Sequence, residues 1–156
     1  MEIKRGNVLV ADDEHHTRLA LSLILKKAGF DVTSVGDGIK ALNKIREATD
    51  DAAPFDLLVI DIQMPRLTGL EVIKELENLK VIFPILIISG YKHKEIVADI
   101  ARSGCIAYAE KPFRPDELLH HIDVLLSEHA RYLEDKVTGA PPVAGRDGMY
   151  ANGDRK

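Results

Sequence analysis

Three carboxylates of this 156-residue chain stand directly after short apolar runs. The run 57–60 leads to Asp61, and the run 7–11 leads to Asp12 and Asp13. Runs rich in Val and Ile that stop at polar residues are typical of buried strands. In an open α/β sheet, ligands bind at the carboxyl ends of such strands, so the spacing predicts that the three side chains meet at one edge.

Carboxylates that meet in this way repel one another. Two of them ~4 Å apart repel by about 4 kcal/mol at an effective dielectric constant near 20, and a divalent cation relieves this repulsion best. The candidate ligands Asp12, Asp13 and Asp61 offer oxygen, with no histidine or thiolate ligand set beside them. Oxygen ligands suit Mg²⁺, with Mn²⁺ as the alternative.

Two further polar residues follow later apolar runs. Ser89 follows the run 84–88, and Lys111 comes shortly after 105–109. A hydroxyl, a positive charge and a metal at one sheet edge would hold a phosphoryl group through its equatorial oxygens. Asp61 would then be the nucleophile that forms an acyl phosphate, and an ionised carboxylate needs no general base.

A parallel sheet is needed to position these side chains. Strands are predicted at 7–11, 30–35, 57–61, 84–88 and 105–109. Helices are predicted at 39–48, 69–79, 93–103 and 115–135, and another has the acidic residues 12–14 in its first turn and runs to about residue 28. Strict alternation of strands and helices predicts an α/β fold with a parallel sheet covered on both faces. Right-handed crossovers leave few topologies, and we expect a doubly wound, flavodoxin-like three-layer sandwich with five strands in the order 2-1-3-4-5.

Apolar spacing and capping residues define the predicted helices. Thr68 with Glu71 three residues later forms a capping box, and Pro115 suits a first helical turn. The apolar faces are predicted from three sets of residues: Leu19, Leu21, Leu23, Ile24, Leu25 and Ala28 in the first helix; Leu70, Ile73, Leu76 and Leu79 in the third; and Leu118, Leu119, Ile122, Leu125, Leu126, Tyr132 and Leu133 in the last.

Composition limits the class of protein. Residues 1–135 form one domain in this interpretation, and the Gly- and Pro-rich residues 136–156 form a disordered tail. The net charge is -4, with 21 Lys and Arg scattered among 25 Asp and Glu, which argues against direct DNA binding. The single cysteine, Cys105, cannot form an internal disulfide, and no signal peptide or membrane-length apolar run is present. We therefore expect a cytoplasmic protein without a membrane segment.

The strand-end residues and their neighbours resemble the receiver domain of two-component response regulators. The resemblance covers about residues 7–126 and rests on four motifs: Asp12-Asp13-Glu14; Asp61 with Met64-Pro65 and Gly69; Ser89-Gly90; and Tyr108 with Lys111-Pro112-Phe113.

The resemblance implies a role for each acidic residue. Asp61 is similar to the phospho-acceptor, which a histidine kinase or a histidine phosphotransfer protein charges. Asp13 and Asp61 would bind Mg²⁺ directly together with the backbone carbonyl of Gln63, and Asp12 would act mainly through a water molecule.

The resemblance also implies a conformational switch. Lys111 would pair with the phosphoryl group, its bond to Pro112 would be cis, and Ser89 and Tyr108 would form the switch pair that reshapes the surface of the fifth strand and its flanking helices. A stand-alone, monomeric or weakly dimeric regulator of this type would signal through an unknown downstream effector protein. It would assist its own phosphorylation and dephosphorylation without being a conventional enzyme.

Two other functions use similar parts. A phosphatase of the haloacid dehalogenase type also has a strand-end aspartate nucleophile, but it needs a second aspartate where this chain has Gln63. The second alternative is a phosphorylation-independent interaction module on the receiver fold. Magnesium-dependent modification at Asp61 distinguishes the main interpretation from this module.

Overall fold

Strands and helices alternate along the computed structural model, which describes residues 3–50, 54–80, 83–90 and 106–139. The elements are β1 (Gly6–Ala11), α1 (His15–Lys27), β2 (Phe30–Val35), α2 (Gly38–Asp50), β3 (Leu57–Asp61), α3 (Gly69–Asn78), β4 (Ile85–Ser89), β5 (Ile106–Glu110) and α4 (Pro115–Thr138). The sheet has the strand order β2-β1-β3-β4-β5, which confirms the predicted order. The helix predicted at 93–103 and the residue Cys105 lie outside the described residues.

The chain divides into two compact units, residues 1–83 and 84–156. In the first unit, β1 pairs in parallel with both β2 and β3, and Val8 lies opposite Val32 on one side and Leu57 on the other. All five residues of β3 are buried. Because Ala11 lies opposite Ile60, β1 and β3 end side by side, and the residues that follow them leave the sheet at neighbouring points.

Helix α1 buries one of its two apolar sides. Leu21 and Leu25 are fully buried, whereas Leu19 and Leu23 are 50% and 61% exposed. The prediction that Leu19 and Leu23 belong to the buried face is therefore wrong. Residues two apart on a helix point about 200° away from each other, so a helix with leucine at 19, 21, 23 and 25 is apolar on opposite sides and only one side meets the core.

Helix α3 begins with the predicted capping box. Thr68 Oγ1 accepts a hydrogen bond from the backbone N–H of Glu71 at 3.2 Å, and the Glu71 carboxylate accepts one from the backbone N–H of Thr68 at 3.3 Å. The buried face contains Val72, Ile73 and Leu76.

Two leucines predicted for the buried face of α3 lie elsewhere. Leu79 is 44% exposed because it caps the end of the helix, and Leu70 is half-buried. The buried face of α3 instead includes Val72, a residue that the prediction had left out.

The second unit contains β4, β5 and the C-terminal helix α4. The two strands pair in parallel from Ile85 opposite Ile106 to Ser89 opposite Glu110, one residue later than predicted for each strand. Helix α4 begins at Pro115, as expected, and packs against both strands.

Helix α4 is longer than the sequence suggested. It runs to Thr138, three residues past the predicted end at 135, and Gly139 ends it in the left-handed conformation with φ 71°. The Thr138 hydroxyl donates a hydrogen bond to the carbonyl of Glu134 at 2.9 Å. The remaining residues of the predicted tail, 140–156, lie outside the described part of the chain.

The buried face of α4 is narrower than predicted. Leu118, Ile122 and Leu125 are buried, but Leu133 is 49% exposed. Leu119, Leu126 and Tyr132 are half-buried. The last buried residue of the helix is Glu128, so the final ten residues carry apolar groups that the core does not take up. No helix in the described ranges combines the length and apolar character needed to cross a membrane.

Candidate functional site

The first unit brings the three predicted carboxylates together. Asp12, Asp13 and Asp61 each offer an oxygen, and these oxygens all lie within 4.8 Å of one another. The cause is the pairing of β1 with β3, because Ala11 and Ile60 are opposite partners and the acidic residues come next in each strand. We call Asp12, Asp13 and Asp61 the acidic cluster.

The members of the acidic cluster differ in burial and support. Asp12 is fully buried, and its Oδ1 accepts a hydrogen bond from the backbone N–H of Glu14 at 2.9 Å. Asp61 is 6% exposed, and its Oδ1 accepts one from the backbone N–H of Gln63 at 3.3 Å. Asp13 is exposed. Each buried carboxylate thus has an oxygen held by the N–H two residues later, which orients the group before any ligand arrives.

Arg18 supports the acidic cluster from α1, and sequence reasoning missed it. Its Nη1 donates a hydrogen bond to the backbone carbonyl of Asp12 at 2.8 Å, which fixes the peptide bond between Asp12 and Asp13. A bond from a charged donor is stronger than one between neutral groups. The signal in the sequence was a cationic residue five residues after the acidic pair.

The loop after Asp61 packs tightly against its surroundings. The backbone N–H of Gly69 donates to the carbonyl of Ile62 at 2.9 Å. A Cβ on Gly69 would overlap the carbonyl oxygen of Asp61, and one on Gly38 would overlap that of Leu67. Glycine is therefore required at both positions for the loop to approach β3 and the start of α2.

Asp37 is a second residue that the sequence reasoning missed. It is 6% exposed and accepts a hydrogen bond from the backbone N–H of Lys40 at 2.8 Å, so it caps α2. Its other oxygen lies 4.0 Å from Nη1 of Arg66, in the loop after Asp61. Arg66 has φ 68°, which is uncommon for a residue with a side chain. The usable signal was an aspartate just before a helical apolar repeat.

The second unit holds the other predicted residues, and they converge on the end of β4. Ser89 is 1% exposed, and its carbonyl accepts a hydrogen bond from the backbone N–H of Lys111 at 2.8 Å. The Tyr108 hydroxyl donates to the carbonyls of Gly90 at 2.9 Å and Ser89 at 3.3 Å. The peptide bond between Lys111 and Pro112 is cis, as the resemblance implied.

The donor set of the acidic cluster fits a hard divalent cation. It consists of carboxylate oxygens with different degrees of burial, and Mg²⁺ characteristically uses one or two carboxylates while it keeps several waters. The exposure of Asp13 leaves a hydrated ion a route to the cluster. The participation of the Gln63 carbonyl remains a prediction.

Comparison with known proteins agrees with this arrangement. Residues 8–123 match the family described as "Response regulator receiver domain". The chain is 31% identical over 152 residues to the transcriptional regulatory protein ZraR of Klebsiella oxytoca, covering 97% of this chain and 32% of that protein. It is 33% identical over 122 residues to the transcriptional regulatory protein FixJ of Bradyrhizobium diazoefficiens, covering 76% of this chain and 56% of that protein. The chain thus spans only about a third to just over half of these relatives.

A solved structure shows the same fold. The receiver domain of the Francisella response regulator 1452 aligns with a TM-score of 0.69 at 30% identity, covering 80% of this chain and 99% of that domain. This similarity confirms the predicted flavodoxin-like class, and receiver domains bind Mg²⁺ at an acidic pocket like the one formed by Asp12, Asp13 and Asp61. The chain belongs to the family of response regulator receiver domains of two-component systems.

Proposed function

We propose that Asp61 accepts a phosphoryl group from a phosphohistidine and that the chain changes its protein-binding surface in response. The observation that carries this proposal is the placement of Asp61 within 4.8 Å of two further carboxylates at the end of β3. In the reaction, a bond forms between an oxygen of Asp61 and phosphorus while the phosphorus–nitrogen bond of the donor breaks. The released imidazole keeps the electron pair and takes up a proton.

When bound, Mg²⁺ would lower the charge repulsion between the acidic cluster and an anionic donor. Asp13, Asp61 and the backbone carbonyl of Gln63 would hold it directly, and Asp12 would do so through water. The burial of Asp12 and its bond from the Glu14 N–H support a fixed, indirect role for that residue. Mn²⁺ has similar ligand preferences and would substitute for Mg²⁺.

Lys111 would pair with the phosphoryl group, and Ser89 would donate a hydrogen bond to one of its oxygens. The ring of Tyr108 would turn inward when Ser89 moves toward the phosphoryl group. Support comes from the hydrogen bonds that join Tyr108 and Lys111 to the carbonyl of Ser89. Because of these bonds, a movement of Ser89 would also displace residues in and just after β5. A depression of about 370 Å³ beside these residues is lined by Tyr108, Phe113 and Leu118, among others, and offers a surface that a partner could read.

The partners follow from the chemistry. The donor would be a histidine kinase or a histidine phosphotransfer protein, and the output would be binding of a downstream effector protein or onward transfer of the phosphoryl group. Self-phosphorylation and self-dephosphorylation would be the only reactions it assists, so it would not be a conventional enzyme. The stand-alone arrangement, the cytoplasmic location and the absence of direct DNA binding remain predictions from the sequence, and the longer relatives include proteins named as transcriptional regulators.

Intact-mass measurement after incubation with a small acyl phosphate tests the proposal. We expect one phosphoryl adduct on the natural chain with Mg²⁺, and none after chelation or in Asp61→Asn. The matched control is Asp31→Asn, because Asp31 is an exposed carboxylate on β2 whose loss removes the same charge far from any predicted role.

The outcomes are distinct. An adduct that needs Mg²⁺ and Asp61 but tolerates Asp31→Asn supports phosphoryl acceptance. The absence of an adduct, under conditions that label another receiver domain, would favour the phosphorylation-independent interaction module. Labelling of Asp61→Asn to the same extent as the natural chain would assign the acceptor to another residue.

A further inference from the structure

The loop between Asp61 and α3 contains a residue in a strained backbone conformation. Arg66 has φ 68°, and the backbone N–H of Leu67 donates a hydrogen bond to the carbonyl of Pro65 at 2.8 Å. A hydrogen bond between residues two apart, around a central residue with positive φ, is the pattern of the rare and strained form of the γ-turn. A side chain at the centre of this turn costs free energy that glycine would not. The loop therefore has arginine at a position where the backbone favours glycine.

The Arg66 side chain is directed toward a buried carboxylate. Its Nη1 lies 4.0 Å from Oδ2 of Asp37, whose side chain is 8% exposed. The other carboxylate oxygen, Oδ1, accepts a hydrogen bond from the backbone N–H of Lys40 at 2.8 Å, so the first turn of α2 holds Asp37 in place. Because Asp37 is buried, solvent and salt screen this pair less than a pair on the surface. Asp37 thus offers the Arg66 guanidinium a fixed negative charge.

The two segments also contact each other through their backbones. A Cβ on Gly38, the first residue of α2, would overlap the carbonyl oxygen of Leu67. The two contacts lie at consecutive positions in both segments, because Arg66 follows Pro65 into the ion pair with Asp37 and the next residue of each segment forms the backbone contact. A contact at two successive points fixes both the position and the direction of the turn relative to α2.

The same loop carries the carbonyl that is predicted to bind Mg²⁺. Gln63 lies three residues before Arg66, and Met64 and Pro65 connect the two. Pro65 fixes its own φ and restricts Met64 to extended conformations, so the connection is stiff. A rotation of the turn at Arg66 would therefore be transmitted to the carbonyl of Gln63.

We infer that Arg66 and Asp37 are a positioning pair for the metal site. Their attraction offsets the strain of the turn and holds the loop in the conformation that ligation by the Gln63 carbonyl requires. Because the Arg66 side chain is 65% exposed, the pair contributes little to the stability of the fold, and its effect is on the affinity for Mg²⁺. The inference rests on the proposed function, since it takes Gln63 as a ligand of Mg²⁺.

Replacement of Arg66 by glycine separates the positioning of the loop from the effect of charge. Arg66→Gly removes a positive charge, so charge alone predicts tighter binding of Mg²⁺. Loss of the positioning pair instead predicts that the dissociation constant rises about tenfold, as for other residues that orient metal ligands. Titration of the full chain with Mg²⁺, followed by its amide signals in NMR spectra, measures this constant. Because glycine adopts a positive φ without strain, the urea midpoint of the metal-free variant should not fall.

A double-mutant cycle tests whether the two residues act together. Asp37→Asn keeps a side chain that can cap α2 but removes the charge, and we expect it also to raise the dissociation constant about tenfold. The double variant should bind Mg²⁺ no more weakly than either single variant, because each change alone already breaks the pair. If the two residues acted only through their charges, their effects would oppose each other and the double variant would bind Mg²⁺ as the natural chain does.

Two further variants are controls. Arg66→Lys keeps a cation that can pair with Asp37 and should retain most of the affinity for Mg²⁺. Lys40→Gln removes an exposed positive charge from the first turn of α2 but keeps the backbone N–H that bonds to Asp37. Its dissociation constant should therefore stay the same or fall.

The outcomes separate this inference from the proposed function. If the natural chain binds Mg²⁺ and Arg66→Gly binds it equally well or better, the positioning pair is overturned and the acidic cluster remains the metal site. The pair is also overturned if the double variant binds like the natural chain, or if Arg66→Lys or Lys40→Gln is as weak as Arg66→Gly. A natural chain whose amide signals do not respond to Mg²⁺ would overturn the proposed metal site, and this inference with it.

Discussion

The hydroxyl of Tyr108 donates a hydrogen bond to the backbone carbonyl of Gly90 at 2.9 Å, so an aromatic side chain of β5 holds the first residue after β4. The same hydroxyl reaches the carbonyl of Ser89 at 3.3 Å, and the backbone N–H of Lys111 binds that carbonyl at 2.8 Å. Two strands that are paired along their length are thus joined again at their ends.

Substitution Tyr108→Phe tests this link. It keeps the ring and removes the donor, so we expect the free energy of unfolding to fall by about 1 kcal/mol, the usual worth of one hydrogen bond. Urea denaturation measures the loss. Tyr132→Phe is the control, because the described contacts of Tyr132 are made by its ring, and its effect should be under about 0.5 kcal/mol. Equal losses in the two variants would contradict a role for the Tyr108 hydroxyl.

Asp13 is the exposed carboxylate of the acidic cluster, so its replacement should weaken metal binding without lowering the stability of the metal-free chain. In Asp13→Asn we expect the metal-free chain to be as stable as the natural chain, or more stable by up to about 1 kcal/mol, because one source of repulsion is gone. Mg²⁺ at about 100 times its dissociation constant should stabilise the natural chain by about 2.7 kcal/mol, and this gain should be lost in the variant. Urea denaturation with Mg²⁺ and with a chelator measures both quantities.

Glu14→Gln is the control for Asp13→Asn. It removes a neighbouring exposed carboxylate that does not belong to the acidic cluster, so the stabilisation by Mg²⁺ should remain. An equal gain from Mg²⁺ in Asp13→Asn and the natural chain would show that Asp13 is not a ligand.

Three glycines respond differently to an added methyl group. Gly69→Ala would drive its Cβ into the carbonyl of Asp61, and Gly38→Ala would do the same at the carbonyl of Leu67. Both contacts are with backbone that cannot rotate away, so we expect each substitution to cost roughly 2–4 kcal/mol of stability.

Gly90→Ala is the matched control, since its Cβ would meet nothing within 4 Å in the described part of the chain and the cost should be under about 0.5 kcal/mol. Thermal denaturation of the three variants gives the comparison. If Gly69→Ala were as harmless as Gly90→Ala, the close approach of the loop to Asp61 would not exist in solution.

His129 makes stability depend on pH. Burial lowers the pKa of its imidazole below the ordinary value of 6.5, so the unfolded chain binds a proton at a higher pH than the folded chain does. The free energy of unfolding is therefore unaffected by this group well above pH 6.5 and decreases as the pH falls from about 6.5 through the lowered folded-state pKa. His129→Gln should remove this part of the decrease, which urea denaturation at pH 7.5 and at pH 5 measures.

His120→Gln is the control for replacing a histidine of this helix, because the His120 side chain is exposed. A His129→Gln variant that loses as much stability on acidification as the natural chain would show that the source lies elsewhere.

The sequence allowed reliable prediction wherever a local pattern has one structural solution. The uninterrupted apolar run before Asp61 could only be a buried strand, and the boundaries of β2 and β3 agree with the structure. The spacing of Thr68 and Glu71 determines a capping box without reference to the rest of the fold. The predicted strand order placed β1 beside β3, and this alone predicted that Asp12, Asp13 and Asp61 would lie together.

Other features depend on what the chain folds against. Leucines surround α1, and only the position of the sheet decides that Leu21 is buried and Leu23 is not. Asp37 and Arg18 escaped notice because each makes a short hydrogen bond to the backbone, with the Lys40 N–H or the Asp12 carbonyl, and such contacts leave no periodic trace in a sequence.

The unequal burial of Asp12 and Asp13 has a consequence for genetic work on this protein. Asp12 is enclosed and bonded to the backbone of its surroundings, including Val35 in β2 through its own N–H at 3.2 Å, whereas Asp13 reaches solvent. A substitution at Asp12 should therefore destabilise the fold, so its effect on the proposed phosphoryl acceptance could not be separated from loss of the protein. Under the proposed function, an allele at Asp13 should leave the chain folded and remove phosphoryl acceptance, which makes it the informative choice for a strain that must contain the folded protein.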